Sequence, residues 1–436
     1  MKRKTALLLV FILLFCGCGE RSSDMFAMPE IPETQKRFVD AVETVLDRGY
    51  EYVELRSGIN RQPLQLIDLD NDGEEEGIAF LRDSRTTYKT YIYIFKEFDS
   101  ELRLYDVIEG PANDLFAVSY TDIVGEEGCE IVAEWDSGDL ESKILRVYKL
   151  GESGVEMLLN VDAMNYLVSD LNGDEKKEIT VVAKRGEKTY ANVYVSENGK
   201  TEVAADIPLT SRGSEILRMK TDSVTQKRKG VIIERRAEFG TVIEVIAYNG
   251  KDFVNMIPDG EVCLSDVRCE DVDGDGIIDI PEEPFESYSE NAANRCYKWN
   301  NISANGEFRL NAFTYHSFAE NWFLLMPVSW ANSVRTRRTI EQDGCVKIEF
   351  TTFEPLNDDE GNVLEVPLFT IYVLSGENKA RFAEEKGGFT VSERGNEMFR
   401  AEIRCESYLG TKIDEGFIKS IFRHSESEWI SEALLA

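Results

Sequence analysis

The side chains best placed to do chemistry are carboxylates set two residues apart around a glycine. Asp68, Asp70 and Asp72 precede Gly73, and Glu76 follows. Counted from the first aspartate, these are loop positions one, three, five and nine, with the glycine at six. Asp271, Asp273, Asp275 and Asp279 repeat the pattern around Gly276. Glu282 then falls at position twelve, where EF-hand loops place a bidentate ligand. A third copy holds Asp170, Asn172, Asp174 and Glu178, with Glu175 at the sixth position and the glycine moved to Gly173. Oxygens converging from such positions at roughly 2.4 Å suit Ca²⁺, which here would rigidify a loop rather than catalyse. The same residues also make Asx turns, in which side-chain oxygens hold backbone N–H groups without any metal. Each turn is therefore structural first, and the turn at 271–279 is the best case for a metal.

What positions these turns is a repeat. Two eroded copies fall between the full ones, Asp122-Ile123-Val124-Gly125 leading to Glu130, and Asp222-Ser223-Val224 leading to Gly230. The five copies begin at 68, 122, 170, 222 and 271, a spacing close to 50 residues. After each turn the apolar pattern alternates with period two through short runs separated by Gly/Asn/Asp turns such as Glu197-Asn198-Gly199. About four antiparallel strands per repeat of this length is the arithmetic of a β-propeller blade, which buries its faces by stacking on its neighbours. The spacing predicts a mainly β chain with a propeller over 50–304. Five blades are visible and the ring has room for up to seven, with residues 50–66 available as a closing strand. Before it, Phe38, Val39, Val42, Val45 and Leu46 predict an amphipathic helix over 34–48, capped by Thr34 and ended by Gly49. From 305 no sixth acidic turn appears, and the pattern predicts a small α+β domain to residue 436.

The pattern Asp-x-Asp-x-Asp-Gly-x-x-Glu/Asp-apolar, once per blade, resembles the FG-GAP/VCBS repeats of integrin-type propellers and the propeller lipoproteins of Gram-positive bacteria. The resemblance covers residues 50–300 and is specific for repeats one, three and five. The run Trp322 to Trp330 and the Phe369-Thr370-Ile371 strand resemble a C-terminal domain of uncharacterised Gram-positive lipoproteins, which implies no activity.

The first residues give an address. Lys2-Arg3-Lys4 is a basic start, Ala6 to Phe15 an apolar stretch too short to span a bilayer, and Gly17-Cys18 follows. A cysteine there resembles a bacterial lipobox, with Cys18 the lipidated residue, residues 1–17 the signal peptide and 18–49 a tether plus the helix. Phe15, where that pattern usually has Leu, is a departure from it. The expected location is the extracytoplasmic face of the cell membrane, held by a lipid anchor. The formal charge is −32, and −35 once the three basic residues of the leader are removed. That excludes nucleic acid as a partner and disfavours flat adsorption on anionic lipid. Of the cysteines after Cys18, only Cys263 or Cys269 with Cys296 makes a local disulfide to test.

Catalytic signatures are missing. The chain has two histidines, His316 and His424, and no H-E-x-x-H, G-x-S-x-G or Gly-rich phosphate loop. The aromatic run Trp322, Phe323, Trp330 with Tyr315 reads as domain core. The expected role is binding or scaffolding of an envelope protein or glycan. The rival is a hydrolase or lyase of envelope polysaccharide, using carboxylates at the propeller mouth. An envelope-assembly factor is a third reading.

Overall fold

The computed structural model describes residues 32–425 apart from 86–88, 100, 140, 198, 239, 258–260, 264–266, 283–293, 304, 343, 356–362 and 377–378. The leader, Cys18 and the tether lie outside the described residues. Among the described residues no helix is long and apolar enough to cross a membrane.

Each acidic repeat becomes one antiparallel sheet whose strands follow one another in chain order. The third is the simplest: Asn165–Ser169, Glu178–Arg185, Lys188–Glu197 and Lys200–Pro208, in that spatial order. The second is built on the hairpin of Glu130–Asp136 with Lys143–Leu150, flanked by Leu115–Thr121 and Val155–Ala163. The fourth runs Ile216–Thr225, Arg228–Arg236, Thr241–Tyr248 and Phe253–Asn255. The first has Glu76–Asp83, Thr90–Phe98 and Glu101–Glu109, with Tyr50–Tyr52 and Leu64–Ile67 both paired to Glu76–Asp83. This meander is the strand order of a propeller blade.

The chain divides into two compact units, Met1–Ser119 with Leu150–Glu156, and Tyr120–Lys149 with Met157–Ala436. In the first unit, helix α1 (Glu33–Leu46) lays Phe38, Val42 and Val45 on Ala79, Leu81, Tyr93 and Phe95. The helix begins one residue before Thr34. Its cap is Pro32, with no side-chain bond, so the expected threonine cap is corrected to a proline entry. Gly49 does end this segment, at φ +92°.

In the second unit successive sheets pack face to face. Val132, Leu145 and Val147 meet Ile179 and Val181. The neighbouring residue Val182, with Ala191 and Val193, meets Val231, Ile233 and Ile246. Ile232, Ile243 and Val245 then meet Ile278, Ile280 and Ile302. Adjacent residues on a strand point to opposite faces, so one run such as Val181-Val182 serves two interfaces. Apolar side chains fill the space on both faces of these sheets, which explains why these strands are apolar throughout rather than alternating.

The fifth sheet is Ile280–Glu282, Asn294–Ile302, Phe308–Ser317 and Trp322–Met326, extended by Phe422–His424. The expected domain boundary at 304 and 305 lies in the hairpin between two of its paired strands, so one sheet carries strands from both sides of it. Beyond it stands a sheet ordered Arg335–Ile340, Val346–Pro355, Val363–Ser375, Glu397–Ile403 and Phe389–Arg394. Helices α2 (Lys379–Lys386) and α3 (Glu415–Ile421) accompany it, α3 capped by Asp414 through the Phe417 N–H. Tyr315, Trp322 and Trp330 are fully buried in the core here, as the sequence indicated. Cys296 is a free thiol in the same core, so neither expected disulfide to it is formed.

Candidate metal centre

Every full turn starts from the same two backbone demands. Positions four and six are left-handed in all three: Asn71 and Gly73 at φ +57° and +90°, Gly173 and Glu175 at +81° and +73°, Gly274 and Gly276 at +82° and +81°. Glycine takes these values freely, whereas Glu175 takes one at a steric cost. The shifted glycine of the third copy therefore leaves the backbone path unchanged.

Position one serves the turn's own amides. Asp68 accepts from Gly73 N–H, Asp170 from Gly173 and Glu175 N–H, and Asp271 from Gly274, Asp275 and Gly276 N–H. Position two is a buried apolar residue: Leu69, Ile123, Leu171 or Val272. Position nine is a buried carboxylate reaching back seven residues to the N–H of position two. The distances are 2.8 Å for Glu76 to Leu69, 2.7 Å for Glu130 to Ile123, 2.7 Å for Glu178 to Leu171 and 3.0 Å for Asp279 to Val272. The ninth residue is thus a clasp that closes the corner of the blade. Its presence in the eroded second turn shows that the clasp works without a full ligand set.

Burial raises the protonation range of all four clasp carboxylates, opposed by the amide each one holds. Glu76 and Glu130 are raised above the ordinary carboxylate range. Glu178 and Asp279 are pushed up to about 7, in both cases with the turn's other aspartates adding to the rise. A neighbouring cation separates these groups. In turn one Lys96, from the adjacent strand, donates to Asp70 and to Asp72 (3.1 Å) and stands 3.3 Å from Glu76. Burial opposes its charge, yet the bonds to Asp70 and Asp72 outweigh that and hold the ammonium above its usual range. In turn two Lys149 makes the same kind of bond to Glu126.

Among the described residues no lysine pairs with the carboxylates of turn five. Asn311 donates its amide to Asp273 (2.9 Å) and to Asp279 (3.0 Å), a neutral partner. One carboxylate oxygen each from Asp271, Asp273 and Asp279 lies within 4.8 Å of the others. Asp68, Asp70 and Glu76 form a similar group in turn one. Two clusters therefore have the ligand types and spacing to hold a metal ion. Among the described residues no lysine or arginine is seen in an ion pair with the turn-five carboxylates, so the donor set there fits a divalent cation, whereas in turn one the metal would have to displace Lys96.

The remaining expected ligands lie elsewhere. Asp72 and Asp275 spend an oxygen on the amides of Glu74 and Ile277. Glu282 accepts from Asn300 (3.0 Å) and stands apart from the cluster. A strand follows this turn, so residues three apart point to opposite faces and the EF-hand position twelve does not carry over. In turn three Asn172 donates to Asp174, and the described carboxylates there form no metal-sized group. Sequence reading missed Lys96 and Asn311, because both reach the turn from another strand. The signal for Lys96 was a charge ending the apolar run Tyr91-Ile92-Tyr93-Ile94-Phe95.

The two histidines are separate. His316 is fully buried and stacked on Phe323, and burial drives it down to about 3. His424 is hydrogen-bonded to the Ser392 hydroxyl at 2.9 Å.

No family model matches this chain, and no curated protein matches it. Solved structures do. It is similar to rhamnogalacturonan lyase YesW, at 13% identity and a TM-score of 0.33, over 71% of this chain and 61% of that one. The exotype rhamnogalacturonan lyase YesX matches at 13% identity and a TM-score of 0.28, over 72% and 62%. The β-propeller domain of the Trilobed protease from Pyrococcus furiosus, with its open velcro topology, matches at 12% and 0.27, over 72% and 89%. This chain spans about three-fifths of the length of the two lyases. At these identities and scores nothing of their activities passes to it, and its blade architecture stands on its own strands and cores.

Proposed function

We propose that this chain is a lipid-anchored protein of the extracytoplasmic membrane face, with a binding or scaffolding role and a propeller stabilised by Ca²⁺ in its fifth turn. The observation that carries the reading is the contrast between turns one and five. The first holds its own ammonium, whereas in the fifth Asp273 and Asp279 accept from the neutral amide of Asn311, with a carboxylate oxygen of Asp271 within 4.8 Å of theirs. Hard carboxylate oxygens with room for backbone carbonyls and water suit Ca²⁺. The FG-GAP-type repeat and the leader ending at Cys18 support the same reading. A binding role is favoured because the shifted groups are already committed. Glu178 and Asp279 hold backbone amides, and His316 is locked between aromatic rings.

The test is a pair of measurements on the full-length chain. Thermal unfolding in excess chelator and in excess Ca²⁺ should differ, because a ligand that binds only the folded state raises its midpoint. Asp273→Asn should remove the difference. Equal midpoints in the unmodified chain would refute the calcium reading. Release of new chain ends from envelope polysaccharide by the purified chain would refute the binding role in favour of the hydrolase or lyase.

A further inference from the structure

One strand position stands across from the clasp in every blade. The residue after the clasp pairs with the next strand in the same way each time: Gly77 with Phe95, Ile131 with Tyr148, Ile179 with Tyr194 and Ile280 with Asn300. One step back along that register, Glu76, Glu130, Glu178 and Asp279 face Lys96, Lys149, Val195 and Asn301. In the eroded fourth blade the corresponding pair is Gly230 with Ala247. Side chains opposite one another in an antiparallel pair leave the same face of the sheet, with Cβ atoms about 5 Å apart.

What stands at this position follows the charge of the turn. Lys96 reaches Asp70, Asp72 and Glu76, and Lys149 reaches Glu126. The fourth blade has lost the carboxylate and the lysine together. Val195 lines a cleft at turn three with Asp174 and Glu178, whose described carboxylates form no metal-sized group. Among the described residues, turn five combines a metal-sized group with a neutral residue at this position. Asn301 ends two bonds beyond Cβ, whereas a lysine carries its ammonium four bonds beyond it. The Asn301 Oδ1 takes no hydrogen bond among the described residues, so no described ammonium has taken the place of the lysine.

We infer that this position selects the cation of the blade corner, and that Asn301 is the residue that reserves turn five for a metal. A lysine here is a tethered cation. It competes with a free ion as an intramolecular partner, at an effective concentration of roughly millimolar. An ammonium beside the same carboxylates also repels a bound divalent ion. Asn301, short and neutral, leaves the charge of Asp271, Asp273 and Asp279 to an ion from solution. It acts by what it leaves open and not as a ligand. This inference rests on the calcium reading proposed above and names the residue that decides it.

The experiment is calorimetric Ca²⁺ titration and thermal unfolding of the full-length chain in detergent, beside Asn301→Lys, Asn301→Met and Lys96→Asn. Asn301→Lys should bind Ca²⁺ at least tenfold more weakly than the unmodified chain. In chelator it should melt higher than Asn301→Met, because the new ammonium neutralises the turn. Asn301→Met has nearly the same length and no charge, and should keep the affinity within threefold. Lys96→Asn, the reciprocal change, should gain an ion. Unchanged affinity in Asn301→Lys, equal weakening by Lys and Met, or equal melting of the two in chelator would overturn the selection. Should Asn301→Lys fail to fold, Lys96→Asn decides, and no gained ion overturns it. An unmodified chain that binds no Ca²⁺ refutes the calcium reading and this inference with it, whereas binding retained there and unmoved by the variants overturns only this inference.

Discussion

Replacing Lys96 by Met should first destabilise the first unit and then make it responsive to calcium. The ammonium lies 3.3 Å from Glu76, which is 1% exposed, and 3.1 Å from Asp72, which is 46% exposed. At an effective dielectric of about 20, one such contact contributes about 5 kcal/mol of attraction. The contact to Asp72 adds little because water screens it. The hydration that Lys96 gives up, at 18% exposure, offsets part of the gain. Removing one partner of a buried pair typically costs about 3–5 kcal/mol, and the partly open position of Lys96 lowers this to about 2–4 kcal/mol. A loss of that size lowers the unfolding midpoint by roughly 5–10 °C. Met retains the aliphatic packing, so the loss reports charge. Denaturant and thermal unfolding of the variant, with chelator and with millimolar Ca²⁺, make the assay. Asp68, Asp70 and Glu76 are then left as turn five is now, and Ca²⁺ should restore most of the lost stability. The reasoning fails if the variant is as stable as the parent, or if it is destabilised equally with and without the metal.

Three further outcomes follow from the same physics. Glu178 has its protonation range raised from the ordinary value to about 7 by burial. A raised carboxylate contributes stability that is complete below its unfolded value near 4.5 and is lost as pH rises through about 7. Glu178→Gln, which can still accept from Leu171 N–H, should therefore show a flatter fall in melting temperature between pH 5 and 7.5, and an unchanged slope would contradict the burial-driven rise at Glu178. Arg235 and Glu244 are both fully buried and bonded at 2.6 Å. Arg235→Met strands Glu244 and should cost about 3–5 kcal/mol in denaturant unfolding, with Arg235→Met/Glu244→Leu recovering much of it. Cys18→Ser should move the chain from the membrane to the soluble fraction on cell fractionation, and retention in the membrane would exclude a lipid on Cys18.

The blades were legible because their cause is local. Period-two apolar runs and acidic turns every 50 residues are readable one stretch at a time, and Val181-Val182 or Ile232-Ile233 needed only the alternation of a strand to find two cores. The clasp was legible as a spacing, since Glu76, Glu178 and Asp279 stand at one position of one pattern. Its role was not, because a carboxylate at position nine looks the same whether it holds an amide or a metal. The balance of charge was the least legible part. Lys96 reaches Asp70 across 26 residues and Asn311 reaches Asp279 across 32, contacts that only strand pairing creates. The fifth sheet hid for the same reason. Its last strand, Phe422–His424, pairs with Trp322–Met326 from about a hundred residues away, a pairing that no local pattern marks. Thr34 illustrates a smaller limit: a good capping residue is not the cap when Pro32 already sets the entry.

The most direct test of the account is the number of Ca²⁺ ions bound per chain, measured by equilibrium titration followed by metal analysis. The account predicts one ion for the unmodified chain, none for Asp273→Asn and two for Lys96→Met. An unmodified chain that binds no ion, or a Lys96→Met variant that gains none, would contradict the claim that a resident lysine fills one turn and a metal the other.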